Sequence, residues 1–215
     1  MVKRPIARTL TIGWTWLLVA GCGTEPPPAP EVALVATQGH VGMGPALPHS
    51  TVARLLNELR TKSAPWHSEK HAEEAGYTLP VGCTDERTEG VSAAGARGMG
   101  YHTLNPALLD GETRLLDPEL LVYGRDRPGG PLKLAGFDYF IPATFYPSPT
   151  SPGYPGTPPL LQGLGTPLMW NTAHNGWIAH IWLWHKNPDG IFDNFNPDIL
   201  ICECQVRPDA PLCTP

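Results

Sequence analysis

The chain has 215 residues, with 15 basic and 20 acidic side chains, a formal charge of −5, and 26 prolines and 23 glycines against only 16% charged residues. An acidic excess with no basic stripe offers nothing to a phosphate backbone, so no nucleic-acid partner is expected. So much proline and glycine argues against long unbroken helices and for a loop-rich domain.

Residues 1–21 have the order of an export signal. Lys3, Arg4 and Arg8 form a basic start, followed by an apolar stretch from Leu10 to Ala20 that is short for a membrane span, which needs about 20 apolar residues. The stretch ends in Leu18-Val19-Ala20-Gly21-Cys22, which resembles the lipobox of bacterial lipoproteins. The resemblance implies cleavage before Cys22 and acylation of that cysteine, giving a lipid anchor to the membrane. Gly23 stands where aspartate would favour inner-membrane retention, so the expected location is the cell envelope, at the outer rather than the inner membrane. Loss of the three basic residues takes the formal charge from −5 to −8. Residues 22–48 read as a proline-rich tether, and residues 49–215 as a single domain.

Within the domain, Ser50 is the expected cap of a helix whose apolar stripe is Val52, Leu55, Leu56 and Leu59. Pro65 interrupts it, and a second helical piece, Trp66 to Ala75, should stop at Gly76. Tyr77 to Cys83 then leads into a loop that runs through Gly90 to Gly98. Residues 119–123 and 132–141 flank the turn at 125–130 and predict a β-hairpin. The Pro/Gly-rich stretch 142–167 is expected as a long loop, of the kind used for function or left unstructured. Trp177 to His185 is the last strand, ended by the turn Asn187-Pro188-Asp189-Gly190. The fold class is therefore α+β: an N-terminal helical segment packed on a small antiparallel sheet. Cys83, Cys202, Cys204 and Cys213 are an even set in an exported chain and predict disulfides. The favoured pairing is Cys83–Cys202 with Cys204–Cys213.

Four residues stand out chemically. A two-residue strand period puts His180 on one face with Ile178, Trp182 and Trp184, and His185 on the other, at the strand end. A buried imidazole in so apolar a run must bond or coordinate something, since an unpaired buried polar group costs about 1–3 kcal/mol. Asp138 is equally out of place, sharing its face with Leu132, Leu134 and Phe140. Folding the hairpin at Pro128-Gly129 brings Glu119 opposite Asp138 to within a residue or two, and two neighbouring carboxylates require a cation or donors nearby. His102 follows the glycines at 98 and 100, which let the chain bend or approach another backbone closely. His102, Glu119, Asp138 and His180 are thus expected to converge on one site that binds a small-molecule ligand or a single divalent transition metal ion such as Zn²⁺, Cu²⁺, Mn²⁺ or Fe²⁺. The competing expectation is a purely structural His/carboxylate network in a non-catalytic module that meets an envelope protein through the 142–167 loop. His67 and His71, four apart, lack the glutamate of H-E-x-x-H, and Asp189, Asp193 and Asp198 lack calcium-loop spacing. The former are read as solvated helix and the latter as turn residues. No catalytic motif is recognisable: there is no G-x-S-x-G elbow, P-loop or S-x-x-K.

The combination G-M-G-Y-H-x-x-N-P (98–106), P-E-L-L-V-Y (118–123), G-F-D-Y-F (136–140), H-x-W-L-W-x-x-N-P-x-G-x-F (180–192) and N-P (196–197) resembles a family of exported bacterial proteins with no assigned activity. The resemblance spans roughly Ala75 to Cys202. It implies a shared domain and brings no substrate with it.

Overall fold

The computed structural model describes residues 47–207. The expected export signal, Cys22, nearly all of the expected tether and Cys213 lie outside the described residues. The domain opens with α1 (His49–Ser63), a 3₁₀ turn (Ala64–His67) and α2 (Glu69–Glu74). Pro48, not Ser50, precedes the first turn of α1, and no side chain caps it. The expected break at Pro65 is the 3₁₀ turn. Gly76 follows the C-cap Ala75 with φ 99°, the left-handed conformation that ends a helix cheaply only at glycine. Leu59, at the inner edge of the α1 stripe, is wholly buried, which stabilises the helix by about 1.5–3 kcal/mol.

Eight strands follow: β1 (Leu79–Asp85), β2 (Gly98–Leu104), β3 (Leu120–Gly124), β4 (Lys133–Pro142), the short β5 (Leu160–Leu161), β6 (Thr166–Pro167) and β7 (Met169–Asn171), and β8 (Gly176–Ile181). Six of them form one antiparallel sheet in the order β1-β2-β3-β4-β8-β7, and β5 pairs with β6. The helix α3 (Cys202–Val206) closes the described chain. The α+β expectation holds. The loop expected over residues 77–98 is instead partly strand, because β1 and the start of β2 occupy its two ends. The last strand is shorter than expected, ending at Ile181. The 142–167 stretch is packed rather than free: Tyr154 stacks on Trp177, and the Trp177 indole donates to the Tyr146 and Pro147 carbonyls.

The sheet has two unequal faces. One carries the main core, in which Leu121, Tyr123, Phe137, Tyr139, Ile141, Trp177, Ala179 and Ile181 meet Leu59 and Trp66 from the helical segment. Its buried phenols are anchored on carbonyls, Tyr77 on Pro118, Tyr123 on Trp66 and Tyr139 on Leu115, so none of these three hydroxyls is left unpaired. The other face has a smaller core of Met99, Val122, Ala135, Trp182, Phe195 and Ile199. There the C-terminal segment returns across the sheet and is tied to β1 by the Cys83–Cys202 disulfide. A register shift between Val122 and Tyr123, which pair with Gly136 and Leu134, changes the parity of β4. Leu134 therefore joins the main core, with Leu132 packed against it, instead of sharing a face with Asp138. No helix among the described residues is long and apolar enough to cross a membrane.

Candidate metal centre

Three of the four expected residues meet on the less covered face. His102 lies on β2, Asp138 on β4 and His180 on β8, all buried, with one ligand atom from each within 4.8 Å of the others. The register explains the meeting. Asp138 is directly paired with His180. Across β3, Asp138 pairs with Leu120 and His102 with Val122, a diagonal offset that long side chains can span. Gly136, the residue of β4 level with Val122, puts no side chain between them.

The protonation of His102 can be read from its contacts. Its Nδ1 is 3.1 Å from the carbonyl oxygen of Gly100; a carbonyl only accepts, so Nδ1 carries the proton. Gly100 is held for this task at φ 109°, with Tyr123 O so near that a Cβ would stand 2.3 Å from it. In a neutral imidazole, Nε2 then presents a lone pair, and it faces Asp138 Oδ2 at 3.0 Å. Two acceptors cannot bond each other, so a cation is required between them, either a second proton or a metal ion. Fixing the far nitrogen on a backbone carbonyl is how metal-ligating histidines are commonly oriented.

Asp138 contacts His180 Nδ1 through Oδ1. Burial alone would push the Asp138 carboxyl up, but the hydrogen bonds of the His180 and His102 imidazoles, and the positive charge they supply when protonated, outweigh it and hold it well below the usual carboxylate range. The carboxylate is therefore anionic. His180 Nε2 is buried and has no hydrogen-bond partner among the described residues. Its ring stacks on Trp182, with centroids 5.9 Å apart and planes 7° apart, which fixes its orientation. Two imidazoles and one carboxylate supply three ligands for a borderline divalent ion and leave further positions for other donors.

Glu119, the fourth expected member, is not in this cluster. Leu120, not Glu119, stands opposite Asp138, and a one-residue difference in a strand places a side chain on the other face. Glu119 is fully buried, and it lies close enough to the main-core phenols of Tyr77 and Tyr139 to add to their upward shifts, which burial chiefly causes. Its Oε2 accepts the backbone N–H of Phe140 at 3.1 Å, while Oε1 has no partner among the described residues. Burial pushes its carboxyl up to about 8.

A second polar group shares the cavity and was not foreseen from the sequence. Glu89, in the β1–β2 loop, accepts from Asn171 Nδ2 at 2.9 Å and contacts His174 Nε2 at 2.7 Å. His174 sits in the tight β7–β8 turn, where Asn175 takes φ 49°. The bond to Glu89 raises the His174 imidazole, and the bond to His174 is the main reason that the Glu89 carboxyl is lowered. Both residues line the same cavity of about 210 Å³ as His102, Asp138 and His180. Nothing periodic in the sequence marks either one.

The other candidates behave as solvated or structural groups. His67 ends the 3₁₀ turn and His71 belongs to α2, with extended Ser68 between them, so they do not share one helix. His67 packs edge-on against Trp184. Asp189 and Asp193 lie near Arg97, and Asp198 N–H donates to Asn196; all three are turn residues, as expected. Cys83 and Cys202 are paired as expected, and the expected Cys204–Cys213 pair falls partly outside the described residues. No family model, curated protein or solved structure matches the chain.

Proposed function

We propose that this chain is a lipid-anchored protein of the bacterial cell envelope, whose domain binds one divalent transition metal ion through His102, Asp138 and His180. The observation that carries the metal reading is the pair of facing acceptors, His102 Nε2 and Asp138 Oδ2, 3.0 Å apart with the His102 proton committed to Gly100. The buried, unpartnered His180 Nε2 supports it. Three protein ligands beside a cavity suit a site that keeps positions for a small-molecule ligand, whereas structural sites are closed by four. The lipobox-like sequence ending at Cys22 and the proline-rich residues that follow it support the anchored placement.

The second reading is a proton in the metal's place. The distances from Asp138 to both imidazoles are those of ion pairs, so a charged His102 would complete a structural network in a non-catalytic envelope module. Thermal unfolding of metal-stripped protein separates the two. A metal ion at a hundredfold excess over its Kd adds about 2.7 kcal/mol, or about 5–11 °C in Tm for a domain of this size. That rise is expected with at least one of Zn²⁺, Cu²⁺, Mn²⁺ and Fe²⁺, and should vanish in Asp138→Asn. A Tm indifferent to all four ions would favour the proton.

A further inference from the structure

The walls of the cavity bear on what the site accepts. Beside the three ligands they are made by Val81, Met99, Leu104, Leu120, Phe140 and Ile178. The remaining polar groups are Thr84 and the set Glu89, Asn171 and His174, whose members bond one another. The apolar wall is continuous with the site, because Leu120 pairs with both Leu104 and Asp138, and Phe140 with Ile178. Further along this face, Phe195 and Ile199 cover Met99 and Val122. Around the cavity, by contrast, Leu104, Leu120 and Phe140 remain partly exposed, and Val81 is 49% exposed. A concave apolar wall ending at a few convergent polar groups is the make-up of a small-molecule site.

Charge and size narrow the ligand. Two neutral imidazoles and one carboxylate leave a divalent ion with one positive charge, which an anionic oxygen balances, while Glu89 is already matched by His174. A dry cavity of about 150 Å³ holds benzene. The 210 Å³ found here fits a ring of that size with a small head group. We infer that the site takes a small monoanion with an apolar body of about benzoate size, its oxygens at the His102–Asp138–His180 end and its body against Leu120, Phe140 and Ile178. This assignment rests on the metal reading of the triad.

The test uses cobalt(II) as a visible reporter in the metal-stripped protein, with acetate and benzoate as probes. Cobalt binding is read first, from d–d bands that are absent in His102→Ala, and it tests the metal reading by itself. Each anion is then titrated against those bands. Benzoate should bind about tenfold or more tighter than acetate, the scale set by a few carbons in an apolar pocket. Leu120→Asn should abolish that preference by weakening benzoate. Val81→Asn, at a half-exposed position that tolerates a polar side chain, should reduce it. Equal affinity for the two anions in a cobalt-loaded wild type would overturn the inference while leaving the metal reading intact. A preference that survives in both variants would place the apolar body elsewhere and also overturn it. Absence of the bands would remove the metal reading, and this inference with it.

Discussion

Replacing Glu119 by glutamine should stabilise the domain at neutral pH and leave the proposed metal site untouched. In the folded chain, burial holds the Glu119 carboxyl near 8, against an ordinary value of 4.5. Below pH 4.5 both folded and unfolded chains carry the proton, and the group does not affect stability. As pH rises, the unfolded chain releases the proton and the folded chain keeps it, so stability falls. At about 1.4 kcal/mol per unit, the loss reaches about 3 kcal/mol at pH 7 and levels off near 5 kcal/mol above pH 8. Glutamine does not titrate, mimics the neutral acid, and keeps an oxygen for the Phe140 N–H. Urea unfolding of wild type and Glu119→Gln from pH 4.5 to 8.5 should give curves that agree at the acid end and diverge steadily towards the alkaline end. At pH 7 the variant should melt about 6–12 °C higher, at 2–4 °C per kcal/mol for a domain of this size. Parallel profiles across this range would refute the claim that Glu119 is buried uncharged in the main core. Loss of metal in the variant would return it to the metal site.

Three further outcomes are expected. The His174 imidazole should titrate above its ordinary 6.5 because of Glu89; its NMR midpoint should fall in Glu89→Gln, and an unmoved midpoint would break the assigned pair. The sign follows from the direction: whatever stability His174 contributes is complete below 6.5 and lost as pH rises through the raised value. Replacing Cys83 and Cys202 together by serine should cost about 2–5 kcal/mol in denaturant unfolding, since the bond closes a separation of 119 residues; a change below 1 kcal/mol would contradict a structural role. Gly100→Ala should be strongly destabilising, by more than about 2 kcal/mol, since it combines a φ of 109° with a carbonyl 2.3 Å from the new Cβ; full stability would mean that the backbone there can move.

Much of the candidate site was legible because each residue of the His102, Asp138 and His180 cluster breaks a local rule. His180 interrupts the apolar run of β8, Asp138 interrupts that of β4, and His102 follows two glycines in a short space. A buried polar group at an apolar position needs a partner wherever the fold puts it. The misreading of Glu119 was one of register. Hairpin loop length places strands only to within a residue, and that single residue decides the face. The bulge at Ala135 in β4 had the same effect on Leu132 and Leu134, since a strand's parity holds only to its first irregularity. Strands β1 and β2 escaped notice because Gly82, Gly98 and Gly100 dilute them, and β1 is largely exposed, without alternation. Glu89 and His174 are 85 positions apart, in a loop and a turn where composition has no period. Only the folding of the β1–β2 loop against the β7–β8 turn brings them together.

The most direct measurement is the metal content of the protein exported into an oxidising periplasm and purified without chelator or histidine tag, read by elemental mass spectrometry. The account predicts close to one divalent transition metal ion per chain in the wild type, in Glu119→Gln and in His185→Ala, and almost none in His102→Ala, Asp138→Asn or His180→Ala. A wild type that is metal-free and refuses metal on loading would contradict it, as would metal retained undiminished in His102→Ala. The facing acceptors of His102 and Asp138 would then be joined by a proton alone.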